Sequence, residues 1–114
     1  MVNVEQHLPL TPVVFEIALS LAAGERHGYE IMQDVERRTD GGIVLHPGTL
    51  YRALGRLLEQ GLIEELEERP AAGTDERRRY YRLTALGQAV ARAEVERLAG
   101  QVSAARRLFR GGRA

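Results

Sequence analysis

The chain has 114 residues, of which 44% are hydrophobic and 28% are charged, and its net charge is zero. This length and balance fit one compact domain with a core of its own. The chain has no cysteine, which excludes disulfides, thiolate metal sites and cysteine nucleophiles. No apolar run approaches the ~20 residues that a membrane span needs. Because Met1–His7 also lacks the features of a signal peptide, we expect a cytoplasmic protein.

The charge is unevenly distributed along the chain. Every basic residue is an arginine, with four between residues 77 and 82, while four glutamates lie between residues 64 and 68. A neutral total argues at first against a nucleic-acid partner. Surface potential depends on local arrangement, however, so a neutral chain can still present a basic face.

A first helix is predicted to start at Thr11-Pro12, because Thr11 can cap it and Pro12 suits its first position. It ends at Gly24, and its apolar residues cover two faces. A helix that is apolar on two sides is buried on both. A chain this short has little left to cover the second side, so we expect a second subunit to cover it, with Phe15 and Leu19 in the contact. A second helix is predicted over residues 28–38.

The stretch from Ile43 to Ile63 predicts a third helix with one apolar and one basic face. Pro47 suits its first turn, and Gly61 can adopt the left-handed conformation that ends a helix. Leucines at helical spacing mark the inward face: Leu50, Leu54, Leu57 and Leu58. The opposite face carries Thr49, Arg52 and Arg56. A helix with leucines behind it and arginines in front can lie in the major groove of DNA.

Two strands are predicted over Leu62–Glu68 and Arg79–Leu83, because they have the aromatic and alternating character of a pleated surface. The loop between them contains Pro and Gly, so strands and loop form a wing. Its arginines, Arg77, Arg78 and Arg79, are candidates for phosphate or minor-groove contacts. Alternatively, the acidic first strand pairs with the arginine-rich second strand, and Arg79, nearest the strand, fits that structural role best.

Thr84 is predicted to cap the longest helix, which runs from about Ala85 to Phe109. A heptad seam follows it: Ala91, Val95, Leu98, Val102, Ala105 and Phe109. The seam is narrower than a globular helix uses for its own core, which predicts homodimerisation; the alternative is packing on the chain's own first helix alone. The charged residues beside the seam, including Glu94, are expected at the surface. Gly100 falls within the helix, where glycine costs about 1 kcal/mol.

The order of elements is that of a winged helix-turn-helix with a C-terminal pairing helix, a mainly α (α+β) fold. Residues 1–84 are expected to form the DNA-binding domain. Residues 85–110 form the dimerisation helix, packed on the same unit, and residues 111–114 form a flexible tail.

Four segments, in this order and spacing, resemble the PadR family of bacterial transcriptional regulators: His27–Ile31, Pro47–Leu54, Glu59–Ile63 and Arg79–Gly87. The resemblance covers about residues 10–108 and is closest to the smaller PadR subfamily, with its single C-terminal helix. It implies a sequence-specific DNA-binding regulator, a homodimeric repressor on a palindromic operator that a small molecule or another signal releases.

The positions of individual residues in this fold predict their roles. Arg52 and Arg56 would contact base edges or phosphates, and Thr49 a phosphate at the helix N-terminus. Tyr29 and Arg37, on the outer side of the second helix, would contact backbone phosphates, although packing is an equal alternative for Tyr29. Tyr51, on the flank of the third helix, is expected to pack.

Two departures from the family pattern matter. His46 stands where such regulators more often have Ser, Thr or Asn, so the third helix is expected to be less firmly capped. Some small PadR-like proteins stack flat aromatic drugs between tryptophans of the pairing helices. This chain has no tryptophan, so that mode of sensing does not carry over.

Other functions have less support from the sequence. His7, His27 and His46 lack metal-ligand spacing, and no serine–histidine pattern suggests a nucleophile, so we expect no enzyme, metal or cofactor. The alternative function is a winged-helix protein–protein interaction module without DNA binding, which the neutral net charge favours. A small-molecule effector, compatible with the regulator, would bind at the dimer interface near Phe15, Leu19 and Phe109; a plain packed interface is the alternative there.

Overall fold

The computed structural model describes residues 3–111. In chain order, its elements are a short 3-10 helix (Val4–His7), α1 (Pro12–Ala22), β1 (Arg26–His27), α2 (Gly28–Arg38), α3 (Pro47–Glu59), β2 (Ile63–Glu65), β3 (Arg69–Pro70), β4 (Arg77–Arg78), β5 (Tyr80–Leu83) and α4 (Ala85–Gly111). Helices dominate and the strands form small antiparallel sheets, which confirms the predicted winged-helix fold with a long C-terminal helix. No helix within residues 3–111 is long and apolar enough to cross a membrane.

The first two helices begin at side chains that cap them. Thr11 Oγ1 accepts the N–H of Val14 at 3.2 Å, and Pro12 lies in the first turn of α1, as predicted. At α2, His27 Nδ1 accepts the N–H of Glu30, and the Glu30 carboxylate accepts the N–H of His27. This reciprocal pair is a capping box, with histidine in the place that Ser or Thr usually takes.

The third helix begins without such a cap. His46 makes no side-chain hydrogen bond to the start of α3, which agrees with the expectation of a weaker cap at this position. Pro47 lies in the first turn and has no N–H to satisfy there. Gly61, with φ of 72°, takes the left-handed conformation that follows the end of the helix.

The sheet is more divided than the predicted two-stranded wing. β5 lies at the centre of a three-stranded sheet in the order β1-β5-β2, while β3 and β4 form a separate two-stranded ribbon. The predicted strand over residues 62–68 is shorter than expected, because only Ile63–Glu65 pairs with β5. The separate strand β3 begins after it, at Arg69, and pairs with β4. β1 has only two residues, and they pair with Tyr80 and Tyr81.

The core lies between α1, α2, α3, the three-stranded sheet and the first part of α4. The predicted inward residues of α2 and α3 line it: Ile31, Val35, Leu50, Leu54 and Leu57 are buried, and Met32 and Leu58 are half-buried. α4 packs tightly at its start, where Gly87 lies against the backbone of Leu62. Thr84 caps the helix, as predicted, because its Oγ1 accepts the N–H of Gly87 at 3.0 Å.

Glu94 corrects one expectation, because it is buried rather than at the surface: only 1% of it is exposed. Its carboxylate binds the guanidinium of Arg97 at 2.7 and 2.9 Å and accepts the N–H of Leu10 at 3.2 Å. The Arg97 guanidinium, together with the N–H of Leu10, holds the pKa of Glu94 below its ordinary value, against the effect of burial. The carboxylate therefore ties the N-terminal segment to α4.

The second half of α4 projects from the body of the domain. Residues 99–111 are exposed, apart from the half-buried Ala105. The helix runs two residues beyond its predicted end at Phe109. Residues 112–114, predicted to belong to a flexible tail, lie outside the described residues. The Cβ that an alanine at Gly100 would add meets nothing of residues 3–111 within 4 Å, so no close approach within this part of the chain explains that glycine.

Candidate nucleic-acid interface

The outer face of α3 carries the three polar residues that the sequence places there. Thr49, Arg52 and Arg56 are all exposed, while the leucines behind them are buried in the core. Neither Arg52 nor Arg56 forms an ion pair with any carboxylate of residues 3–111. Both guanidinium groups are therefore available to an acceptor outside the chain.

α3 lies close to the start of α2. A Cβ at Gly28 would lie 3.1 Å from Tyr51 Cζ and 3.3 Å from Leu50 Cδ2, so a larger residue there would require these side chains to shift. Tyr51 is 52% exposed, with its ring end against Gly28. This contact agrees with the packing role expected for Tyr51.

The outer face of α2 lines an open groove together with the turn that follows the helix. Tyr29, Gln33 and Arg37 form one wall, and residues 40–45 contribute to the other. Tyr29 is 50% exposed, and Arg37 is exposed as well. The two phosphate-contact candidates on this helix thus point outward along the same face.

The Arg37 guanidinium forms an ion pair with the buried carboxylate of Asp34. Asp34, with 3% exposure, pairs with Arg37 and accepts a hydrogen bond from Arg38 Nε at 2.9 Å. Burial alone would raise the pKa of Asp34, but Arg38 and Arg26 hold it below its ordinary value. Arg38 also binds the Glu16 carboxylate at 2.8 Å, so this network joins α2 to α1.

The wing arginines, in contrast to those of α3, have partners within the chain. Arg78 Nη2 lies 3.1 Å from Glu76 Oε1, and Arg79 Nη2 lies 3.3 Å from Glu68 Oε2. Arg77 Nη2 donates to the backbone carbonyl of Glu68 at 2.6 Å. The structure thus places these arginines on the predicted wing but pairs them with its own acceptors.

The arginines at the base of the wing also form ion pairs with glutamates of the chain. Arg82 pairs with Glu64, its partner in the β2–β5 register. Arg69 pairs with Glu25 at 2.8 Å, and its guanidinium lies 3.8 Å from the centroid of the Tyr80 ring. Arg69 therefore fastens β3 to the sheet.

The wing and α2 meet at Tyr29. The Arg78 guanidinium carbon lies 6.0 Å from the centroid of the Tyr29 ring, within the range of a cation–π contact. Since Gly28, next to Tyr29, also contacts α3, three elements converge at the start of α2. The start of α2 therefore lies against both α3 and the wing.

Sequence reasoning missed two features of this region. Asp34 precedes Arg37 and Arg38 by three and four residues, and this helical spacing is a signal for ion pairs. The partners of the wing arginines, by contrast, depend on strand register and on the path of the loop, neither of which the pattern of residues determines.

A second exposed region lies on α4. Val95 is 44% exposed, Val102 49% and Phe109 82%, and Leu98 and Ala105 are half-buried. The predicted seam begins later than expected, because Ala91 is buried in the chain's own core. On α1, the predicted contact residues Phe15 and Leu19 are half-buried.

Three comparisons with known proteins relate to this geometry. The sequence profile of the PadR-like family of transcriptional regulators matches residues 18–93, a shorter span than the resemblance over residues 10–108, and it ends just before the exposed part of the α4 seam. A protein of uncharacterised function from Lysinibacillus sphaericus is 37% identical over 65 residues, which are 57% of this chain and 58% of that protein. The chain thus spans less than two thirds of this relative.

Among solved structures, a transcriptional regulator from Clostridium thermocellum is 29% identical. It has a TM-score of 0.68, and the alignment covers 83% of this chain and 87% of that one. PadR from Bacillus subtilis, solved in complex with operator DNA, is 22% identical with a TM-score of 0.63, covering 76% of this chain and 48% of that one. At that identity, the second similarity shows the fold alone.

Proposed function

Because the chain belongs to the PadR-like family of transcriptional regulators, we propose that it binds double-stranded DNA in a sequence-specific manner and acts as a homodimeric repressor. The observation that carries this proposal is the outer face of α3. Arg52 and Arg56 are exposed and unpaired with any carboxylate of residues 3–111, and a buried leucine stripe holds the helix from behind. The operator complex of Bacillus subtilis PadR supports DNA as the partner.

In the proposed complex, α3 lies in the major groove. Arg52 and Arg56 bind base edges there, and arginine can bind guanine O6 and N7 together. Thr49 donates to a phosphate near the start of the helix. These contacts supply the sequence preference, because the major groove distinguishes all four base pairs.

Contacts to the DNA backbone come from the neighbouring elements. Tyr29 and Arg37 on α2 contact phosphates, since the first helix of a helix-turn-helix crosses the backbone. Arg77 and Arg78 on the wing contact the flanking backbone. Asp34, beneath Arg37, limits the positions that its guanidinium can take.

The dimer would form through the exposed apolar residues of α4 and the half-buried residues of α1. Val95, Leu98, Val102, Ala105 and Phe109 form the α4 contact, and Phe15 and Leu19 join it from α1. Apolar area gains about 25 cal/mol per Å² when it leaves water, which favours covering this stripe. Two copies of α3 would then enter successive major grooves about 34 Å apart, which requires a palindromic operator.

An effector that releases the repressor would act at that interface. The apolar side chains of Phe15, Leu19 and Phe109 suit a small, largely apolar molecule. A ligand that favours one packing of the two α4 helices over another changes the distance between the two α3 copies, and by linkage changes the affinity for the operator.

The proposal is tested by selecting bound sequences from a pool of random duplexes of about 30 base pairs, long enough for two half-sites one turn apart. We expect enrichment of a palindrome with that spacing. If no sequence is enriched and no duplex binds at about 50 mM salt, where backbone contacts are strongest, the DNA-binding function is refuted. The neutral net charge and the ion-paired wing would then favour the protein–protein interaction module.

A further inference from the structure

The wing carries slightly more negative charge than positive charge. Residues 64–82 contain six acidic and five basic residues. Each of the five arginines in this range contacts an acceptor of the chain itself: Arg69, Arg77, Arg78, Arg79 and Arg82. A wing that only attracted phosphates would need no such acids, so their arrangement calls for a physical explanation.

One of these pairs involves Arg78, which is proposed to contact DNA, and the other involves Arg79, the neighbouring arginine and a further candidate for a phosphate contact. Glu76 binds Arg78 at 3.1 Å, and Glu68 binds Arg79 at 3.3 Å. All four side chains are solvent-accessible, from 37% for Arg78 to 61% for Glu76. Ion pairs this exposed are weak, at about 0.2–1 kcal/mol, so a phosphate can displace the carboxylate, but it must first compete with it.

We propose that Glu76 and Glu68 compete with DNA phosphates for Arg78 and Arg79, and thereby hold down the affinity of the wing for DNA of any sequence. This inference rests on the proposed DNA-binding function and adds two acidic residues that determine affinity. The competition involves only phosphates, which DNA of every sequence carries, so it lowers the affinity for all sequences equally. The arginines of α3 are not subject to this competition, because Arg52 and Arg56 have no carboxylate partner among residues 3–111.

The chain offers a matched control for this effect. Glu67 lies beside Glu68 on the wing and is exposed, but it pairs with no arginine of residues 3–111. Replacing Glu67 or Glu68 by glutamine removes one negative charge from nearly the same place. The difference in DNA affinity between the two variants therefore measures the effect of releasing an arginine. The general attraction of DNA to a more positive wing is the same in both variants.

The test uses the whole chain and a fluorescent pool of random-sequence duplexes, with binding followed by anisotropy across about 50–200 mM KCl. Glu76→Gln should bind about 1.5- to 5-fold more tightly than Glu67→Gln, which is the range that exposed pairs span. Glu68→Gln should gain less than Glu76→Gln, because Glu65 Oε1 still lies 3.6 Å from Arg79 Nη1. The salt dependence should steepen by up to about one phosphate contact. Circular dichroism and gel filtration establish that the variants are folded.

A double-mutant cycle identifies the mechanism. In an Arg78→Ala background, Glu76→Gln should gain no more than Glu67→Gln, because the arginine that it would release is absent. The inference is overturned if Glu76→Gln and Glu68→Gln match Glu67→Gln, or if the gain of Glu76→Gln persists without Arg78.

The same measurements distinguish a failure of the proposed DNA-binding function from a failure of the proposed competition. If the wild-type protein binds no duplex at any salt concentration, the proposed function is refuted and this inference with it. If the wild type binds and Arg52→Ala weakens binding, while the wing variants equal their control, only the competition by Glu76 and Glu68 is refuted.

Discussion

Gly87 is a point at which α4 packs closely against the backbone of Leu62, the residue before β2. A methyl group added there would overlap the carbonyl oxygen of Leu62 and lie 2.9 Å from its carbonyl carbon. This neighbour is backbone, and the same oxygen accepts the N–H of Thr84 at 3.1 Å. No side-chain rotation can relieve the overlap, so in Gly87→Ala either the start of α4 or the start of β2 must move.

The size of the effect follows from three contributions. Overpacking a close contact costs about 1–3 kcal/mol, and losing the Thr84–Leu62 hydrogen bond costs about 1 kcal/mol. Alanine in a helix regains about 1 kcal/mol relative to glycine. We therefore expect Gly87→Ala to lower the free energy of unfolding by about 1–3 kcal/mol.

Urea unfolding followed by helical circular dichroism measures this difference, at one protein concentration because association also affects stability. Gly100→Ala is the matched control, since nothing lies within 4 Å of its added methyl group. It should be neutral or stabilise by up to about 1 kcal/mol. If Gly87→Ala is as stable as Gly100→Ala, the close docking of α4 on β2 is wrong.

Three further predictions follow from the structure. Leu98→Asp should yield monomers in sedimentation equilibrium, because it places a charge in the proposed α4 contact; a dimer at micromolar concentration would contradict that contact. Because the pKa of Glu94 in the folded state lies below its ordinary value of 4.5, this residue stabilises the fold above that pH and loses its contribution as pH falls through the folded pKa. Glu94→Gln should therefore be less stable at neutral pH and lose less stability in acid, and equal losses in urea midpoints would refute this. His27→Ala should cost at least about 1 kcal/mol in the same assay, because it removes both the cap of α2 and a buried ring packed edge-on against Tyr80, and an unchanged midpoint would contradict the capping box.

The helices could be predicted because the residues that start and end them act locally. Thr11 and Pro12 start α1, Pro47 starts α3 and Gly61 follows its end, and each acts on atoms within a few residues. The leucine stripe of α3 has the period of the helix itself, so its buried side and its arginine side were both predictable.

What could not be predicted depends on contacts distant in sequence. β1 is two residues long and exists only because Tyr80 and Tyr81 pair with it, so no alternation signals it. Glu94 is buried because it accepts the N–H of Leu10, 84 residues away. A carboxylate on a helix normally indicates a solvated face. Its partner Arg97 lies at helical spacing in the sequence, but only the folded chain brings the N–H of Leu10 to it and makes its burial favourable.

The ion pairs of the wing, at the candidate site, could likewise not be predicted from the sequence alone. The wing arginines were predictable as a cluster, and pairing with glutamates was one of two open interpretations. Which glutamate meets which arginine depends on the register Glu64–Arg82 and on the path of the loop. The positions of the charges followed from the sequence, whereas their pairing required the structure.

The central claim, that α3 reads DNA through Arg52, is tested most directly by measuring the sequence preference of Arg52→Ala. Anisotropy titrations would compare the selected duplex with duplexes changed at single base pairs. Arg92→Ala, which removes the same charge from an exposed position on α4, is the control. We expect Arg52→Ala to lose about 1–3 kcal/mol on the selected duplex and to lose its preference at one position, while Arg92→Ala resembles the wild type. Wild-type affinity and preference in Arg52→Ala would contradict the assignment of α3 as the recognition helix.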